Sequence, residues 1–208
     1  LFKAYSIISA QKAMALNYTW PLALTLLSIP LLKQRPSLSV LFGMVLSFLG
    51  VLIIANVWNS PWVLNPKEFF GMTLALISSI VWALYWILNM KDPRNDRVKL
   101  CLNFFWGAVY AGFALKINGL PFSFDLKGLI GTFYIGTFEM GLTFILWLKA
   151  LKLSHNTSQV GRLIFITPFI SLICISLIAG EGIKITSILG LSLVVLGIIG
   201  PTFIEQNR

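Results

Sequence analysis

The sequence predicts an all-α polytopic membrane protein with seven transmembrane helices. Three observations carry that expectation. Of 208 residues, 57% are apolar and only 11% are charged, with a mean hydropathy of +0.86; a soluble domain carries about a quarter charged residues. Apolar stretches of roughly 20 residues recur, the length that crosses a hydrocarbon core of about 30 Å as helix. The ten-residue alternating segments of a membrane β-barrel are absent. Helices remain, because lipid cannot satisfy free backbone groups.

The spans follow in order. Span A, about 9–32, carries Pro21 near its middle and ends at "KQRPS". Span B, about 37–57, carries Gly43 and Gly50 on one face, which permits close helix contact. After "NSPWVLNPKE", span C, about 68–90, places Trp82, Tyr85, Trp86 and Asn89 on one helical face. "KDPRNDRVK" leads into span D, about 99–117, and "INGLPFSFD" into span E, about 127–149. "LKLSHN" precedes span F, about 157–179, which contains Pro168; "GEGIK" precedes span G, about 185–204, with Gly190 and Gly197. A proline inside a helix removes one backbone bond and kinks it.

Charge orients the spans. Nine Lys and Arg (33, 35, 91, 94, 97, 99, 149, 152 and 208) fall on one side and five (3, 67, 116, 127 and 184) on the other. The richer side is the cytoplasmic one. The A–B, C–D and E–F loops and the C-terminus are therefore expected in the cytoplasm. Lys12 and Arg162 fall inside helix starts, where long basic side chains snorkel to the interface. The net charge of +9 has this loop pattern rather than that of a nucleic-acid binder. Cys101, Cys174 and the single His155 make no metal or disulfide pattern, and no phosphate-binding glycine motif marks an ATP site. No cofactor is expected, and no cluster of nucleophile, base and acid suggests an enzyme.

An internal repeat shapes the rest. Shifting the chain by 147 residues lays Leu16–Ile53 over Leu163–Gly200 without a gap, matching Pro21 to Pro168, Gly43 to Gly190 and Gly50 to Gly197. Spans A and B then correspond to F and G, five helices later. Five is odd, so the copies are oppositely oriented, an arrangement typical of secondary transporters. Residues 67–208 make a complete second repeat of five helices, and residues 1–58 the last two helices of a first. The offset predicts a first copy starting about 80 residues ahead of Leu1, with room for about three more helices. These would be the last seven of a ten-helix inverted-repeat transporter fold of about 290 residues.

Residues 147–199, "WLKALKLSHNTSQVGRLIFITPFISLICISLIAGEGIKITSILGLSLVVLGII", resemble the EamA-type branch of the drug/metabolite transporter superfamily. They show a Trp and Ala-Leu-Lys run, a helix with a central Pro, a Gly-Glu turn and a Gly-marked final helix. Residues 9–54 are similar, and "GMTLALISSIVWALYWIL", residues 71–88, looks like the helix that opens a repeat. One departure is Gln34, where the second copy has Glu181. The resemblance implies export of small metabolites, amino acids among them, from a bacterial cytoplasmic membrane.

Glu139 is the acid inside span E, about 18 Å along it. An ionised carboxylate there must be hydrated, paired or protonated. It either bonds a neighbouring helix as the neutral acid, or faces a cavity and binds a substrate ammonium or a proton. Tyr134 and Thr143 offer hydroxyl groups near it, and Met140 is adjacent. Arg162, about 9 Å into span F, is a snorkelling residue, a cationic contact in the cytoplasmic mouth or a water-bridged partner for Glu139 on span E. Trp82 and Tyr85 read as a packed aromatic face, an interfacial belt or a wall that stacks substrate. Pro21 and Pro168 suit helices that bend during alternating access. The expected partners are a small-molecule metabolite and the bilayer. The alternatives are a flippase for a lipid-linked molecule and an inactive fragment of a transporter.

Overall fold

The computed structural model describes residues 1–54, 65–119, 125–167, 170 and 185–206. Pro168, Cys174 and Glu181 lie outside the described residues. The helices are α1 (Phe2–Tyr5), α2 (Ala10–Asn17), α3 (Trp20–Leu32), α4 (Leu38–Ile54), α5 (Pro66–Lys91), α6 (Asp96–Ile117), α7 (Leu126–Tyr134), α8 (Thr143–Leu153), α9 (Thr157–Gly161) and α10 (Ile185–Gln206). A π-helical segment, Ile135–Leu142, joins α7 to α8, and a 3₁₀ turn, Arg162–Ile166, follows α9. No strand occurs among the described residues.

Among the described residues four stretches are long and apolar enough to cross a membrane: Ala15–Leu32, Pro66–Lys91, Asp96–Ile117 and Leu126–Leu153. They fall in spans A, C, D and E. Shorter apolar helical runs, Leu38–Ile53 and Ile188–Pro201, fall in spans B and G. Span F is described only over its first part.

The chain forms two compact units. The first holds Leu1–Ile87 and Ser154–Arg208. Its main core joins Val40, Met44 and Val51 of α4 to Phe165, Val194 and Ile198. Glycine lets α4 and α10 run antiparallel in close contact. A Cβ on Gly43 would stand 2.3 Å from the Gly197 carbonyl oxygen, and one on Gly50 2.4 Å from that of Gly190. Real Cβ atoms are not found so near a backbone oxygen, so only glycine fits either position. Between these crossings the Ser47 hydroxyl donates to the Val194 carbonyl at 3.2 Å.

A second cluster packs Ala4, Ile8 and Ala13 against Ala75 of α5. Polar contacts line the same seam: Asn17 Nδ2 donates to Ser78 Oγ at 2.9 Å, and Thr19 Oγ1 to Ser79 Oγ at 2.9 Å. Lys12 donates to Glu68, and the two form an ion pair with side-chain exposures of 3% and 14%. The snorkelling expected of Lys12 is thereby overturned. A carboxylate from α5 meets it, so its ammonium has no need to reach the interface.

Pro21 stands at the interruption of span A near its middle, but in the first turn of a new helix rather than as a kink inside a continuous one. Span A is interrupted at Tyr18–Thr19, and Pro21 lies in the first turn of α3. At that position the missing N–H was not needed by the new helix. Thr19 Oγ1 bonds the Leu16 carbonyl at 2.7 Å across the break.

The second unit is Leu88–Leu153. Lys99, wholly buried, ties its helix ends together. Its ammonium donates to the carbonyls of Asn89 at 2.5 Å and Asp92 at 3.1 Å, and pairs with Asp96 at 2.9 Å. A cation at the last carbonyls of α5 satisfies groups the helix cannot bond itself. Lys152 of α8 donates to the same Asp96 at 2.5 Å, while Asn103 Nδ2 donates to Asn89 Oδ1 at 3.0 Å. Asn89 is therefore a packing residue of this hairpin. Phe104 and Phe144 complete the contact of α6 with α8, ring centroids 5.6 Å apart.

Candidate functional site

The site starts from the 28-residue run Leu126–Leu153. Asp125 opens it by accepting from the Gly128 N–H at 3.3 Å, a helix N-cap. From Ile135 the helix widens into i→i+5 turns and returns to α geometry at Thr143. Such π segments arise where an extra residue is held in a helix, often at functional sites. Two side-chain features hold this one. A Cβ on Gly141 would stand 2.8 Å from the Gly136 carbonyl oxygen, five residues back, so glycine is what admits the wide turn. Thr143 Oγ1 donates to the Phe138 carbonyl at 2.8 Å, also five residues back.

Glu139 occupies this segment and is exposed. Among the described hydrogen bonds and ion pairs it takes part in none. Tyr134 is 62% exposed, and its ring lies against Phe138 at 5.4 Å. Met140 is exposed as well. The sequence-predicted residues Tyr134, Glu139, Met140 and Thr143 thus share one stretch, with the Thr143 hydroxyl proton committed to the backbone. Sequence reasoning missed the π segment. Its signal was present in Gly136 and Gly141, five apart and bracketing Glu139.

The remaining candidates belong to the first unit. Trp82 and Tyr85 stack at 5.4 Å and 10° between planes, and Trp86 meets both edge-on at 5.6 and 5.2 Å. Trp86 is buried, while Trp82 and Tyr85 are half-buried. The face is a self-packed aromatic cluster whose outer two rings remain partly open.

Arg162 is buried, at 7% exposure, rather than snorkelled. It stands where α9 tightens into the 3₁₀ turn, and that turn packs on α4 and α10. A mid-helix 3₁₀ stretch marks strain or a hinge. Ahead of it, Gln34 Oε1 accepts from the Thr157 N–H at 3.0 Å and the Thr157 hydroxyl at 2.8 Å. Gln34 is thus an anchor for the start of α9. His155 is exposed between α8 and α9.

Described residues that are mostly helical and include no strand, with several apolar helices of spanning length and a carboxylate inside one of them, have the features of a membrane carrier. Residues 1–56 and 69–202 match the model of the EamA-like transporter family, and the chain belongs to that family. It is an integral membrane protein. A protein of Acidianus ambivalens described as an uncharacterized transporter in the sor 3′ region is 26% identical over 204 residues, covering 95% of this chain and 76% of that protein. A crystal structure described only as that of a protein superposes with a TM-score of 0.83 at 17% identity, over 98% of this chain and 72% of the other. That likeness is one of fold.

Proposed function

We propose that the chain is part of a secondary transporter exporting small amphipathic metabolites such as amino acids, by alternating access between two inverted repeats. The observation that carries this is the family match on both sides of residues 57–68. Membership of a transporter family points to transport rather than catalysis. In this reading residues 1–58 close a first repeat, residues 67–208 form the second, and the seven spans are the last seven of ten.

The seam between α4 and α10 supports the inverted repeat. Exchanging copies by 147 residues carries the Gly43–Gly197 contact onto the Gly50–Gly190 contact and Ser47 onto Val194. A crosswise pattern with one residue opposite its own counterpart is what a two-fold axis produces. An axis lying in the membrane plane relates repeats of opposite topology.

In the proposed cycle Glu139 faces the passage and binds a substrate ammonium or carries a proton. A carboxylate in a membrane span needs water or a cation beside it, and the π segment presents this one outside the ordinary helical register. Tyr134 and Thr143 add oxygen atoms for a polar substrate, and the first unit, by itself, offers the aromatic surface of Trp82 and Tyr85. Arg162 contributes positive charge, and the break before Pro21 allows span A to bend, a role the repeat also gives to Pro168 in the sequence.

The test is metabolite profiling of medium from cells producing the full-length protein or its Glu139→Gln variant at equal membrane abundance. Wild type is expected to enrich a small set of amphipathic compounds, and Glu139→Gln to lose at least tenfold of that release, about 1.4 kcal/mol. Equal release from both would remove Glu139 from the mechanism.

A further inference from the structure

A second site lies in the unit Leu88–Leu153, beginning beside the π segment at Gly141 and reaching to Arg97. A groove of about 480 Å³ runs between α6 and the helix carrying Gly141 and Ile145. Its walls are Leu100, Cys101, Phe104, Phe105 and Ile145, and Arg97 stands at one end. Arg97 is the second residue of a membrane-length helix, so it lies at headgroup level. Leu100 to Phe105 follow about 4.5 to 12 Å deeper, in the acyl region.

The charges at this end are unbalanced. Lys91, Arg94, Arg97, Lys99, Lys149 and Lys152 face only Asp92 and Asp96. Both acids are already engaged. Asp92 pairs with Arg94 at 2.6 Å, and the guanidinium holds its carboxyl down to about 2, so it stays ionised and occupied. Asp96 is shared by Lys99 and Lys152. Arg97 is exposed and takes part in none of the described ion pairs, while Asn95 Oδ1 accepts from its backbone N–H at 3.0 Å and fixes where it starts. Lys149 lies one turn beyond Ile145 on the same face of α8.

We propose that this groove binds an anionic phospholipid, its phosphate on the Arg97 guanidinium with Lys149 nearby and one acyl chain along Leu100, Phe104, Phe105 and Ile145. A cation at headgroup depth above an apolar furrow matches both ends of such a lipid, and basic pockets between transmembrane helices take anionic headgroups. The volume lies within the range of small-molecule sites, roughly 300–1,000 Å³.

Native mass spectrometry tests this on the purified full chain, with equimolar phosphatidylglycerol and phosphatidylcholine added. Wild type is expected to retain phosphatidylglycerol preferentially. Arg97→Gln is expected to cut that preference about fivefold, as one cation near a membrane surface contributes about 1 kcal/mol. Lys91→Gln, the same charge change at the same end but off the groove, leaves the preference intact. Cys101→Trp, which fills the furrow without changing charge, removes adducts of both lipids. Equal loss with Lys91→Gln and Arg97→Gln, no headgroup preference in wild type, or displacement of the lipid by inorganic phosphate would each overturn the site.

Discussion

At the scale of single residues, the described charges inside the helices divide by whether the fold supplies a partner. Lys12 has Glu68, and Lys99 has two carbonyls and Asp96. Glu139 has no described partner of its own, which is why the proposed binding role falls on it. The Lys12–Glu68 pair makes a prediction. Removing one member strands the other, and for a buried pair that costs about 3–5 kcal/mol; Glu68 keeps some exposure, so the low end applies. Lys12→Met and Glu68→Met are each expected to destabilise the protein by about 3 kcal/mol, and the double variant to recover most of the loss. Thermal unfolding of all four proteins in detergent measures the coupling; additive losses would mean the two charges do not stabilise one another. Sequence analysis could see that Lys12 fell near a helix start. It could not see Glu68, 56 positions away, because the two meet only when α2 lies on α5. The acid at position 139 was legible because a carboxylate in an apolar run needs no tertiary knowledge to stand out.

At the scale of elements, glycine sets two geometries, and each can be tested. On the α4–α10 seam, Gly43→Ala drives a methyl into the Gly197 carbonyl. The expected loss is about 1–3 kcal/mol, the usual cost of overpacking a fitted contact. Ser47→Ala removes only one interhelical hydrogen bond, worth about 0.6 kcal/mol in membranes. Unfolding measurements should rank the two in that order, and the reverse would mean that polar contact, not close approach, holds the seam. On the π segment, Gly141→Ala places a methyl against the Gly136 carbonyl. If the segment relaxes to α-helix, the register around Glu139 turns by roughly 100°, one residue's worth. Gly141→Ala is expected to lower export beside Glu139→Gln in the same medium assay while the protein still reaches the membrane; wild-type export would show the wide turn is dispensable. Helix positions were broadly legible from apolar length, as α4, α5, α6 and α10 show. The interruption of span A was legible from Pro21, but the π and 3₁₀ segments were not, because hydropathy reports that a run is apolar and says nothing of how its backbone bonds are spaced.

At the scale of the whole molecule, the inverted repeat makes the sharpest demand. Residues 33–37 and 180–184 are the same position in the two copies, 147 apart. If the copies are inverted, these loops lie on opposite sides of the membrane, although both follow spans of similar composition. The Lys and Arg distribution assigns 33–37 to the cytoplasm and 180–184 to the outside. Fusing alkaline phosphatase, active only outside, or green fluorescent protein, bright only inside, after each loop of the full-length protein reads the two sides directly. Fluorescence is expected after residue 37 and phosphatase activity after residue 184. The same reporter lighting up at both would make the repeats parallel. The crosswise contacts of Gly43, Gly50, Gly190 and Gly197 would then have to arise without an axis in the membrane plane, and alternating access by rocking one inverted half against the other would lose its structural basis.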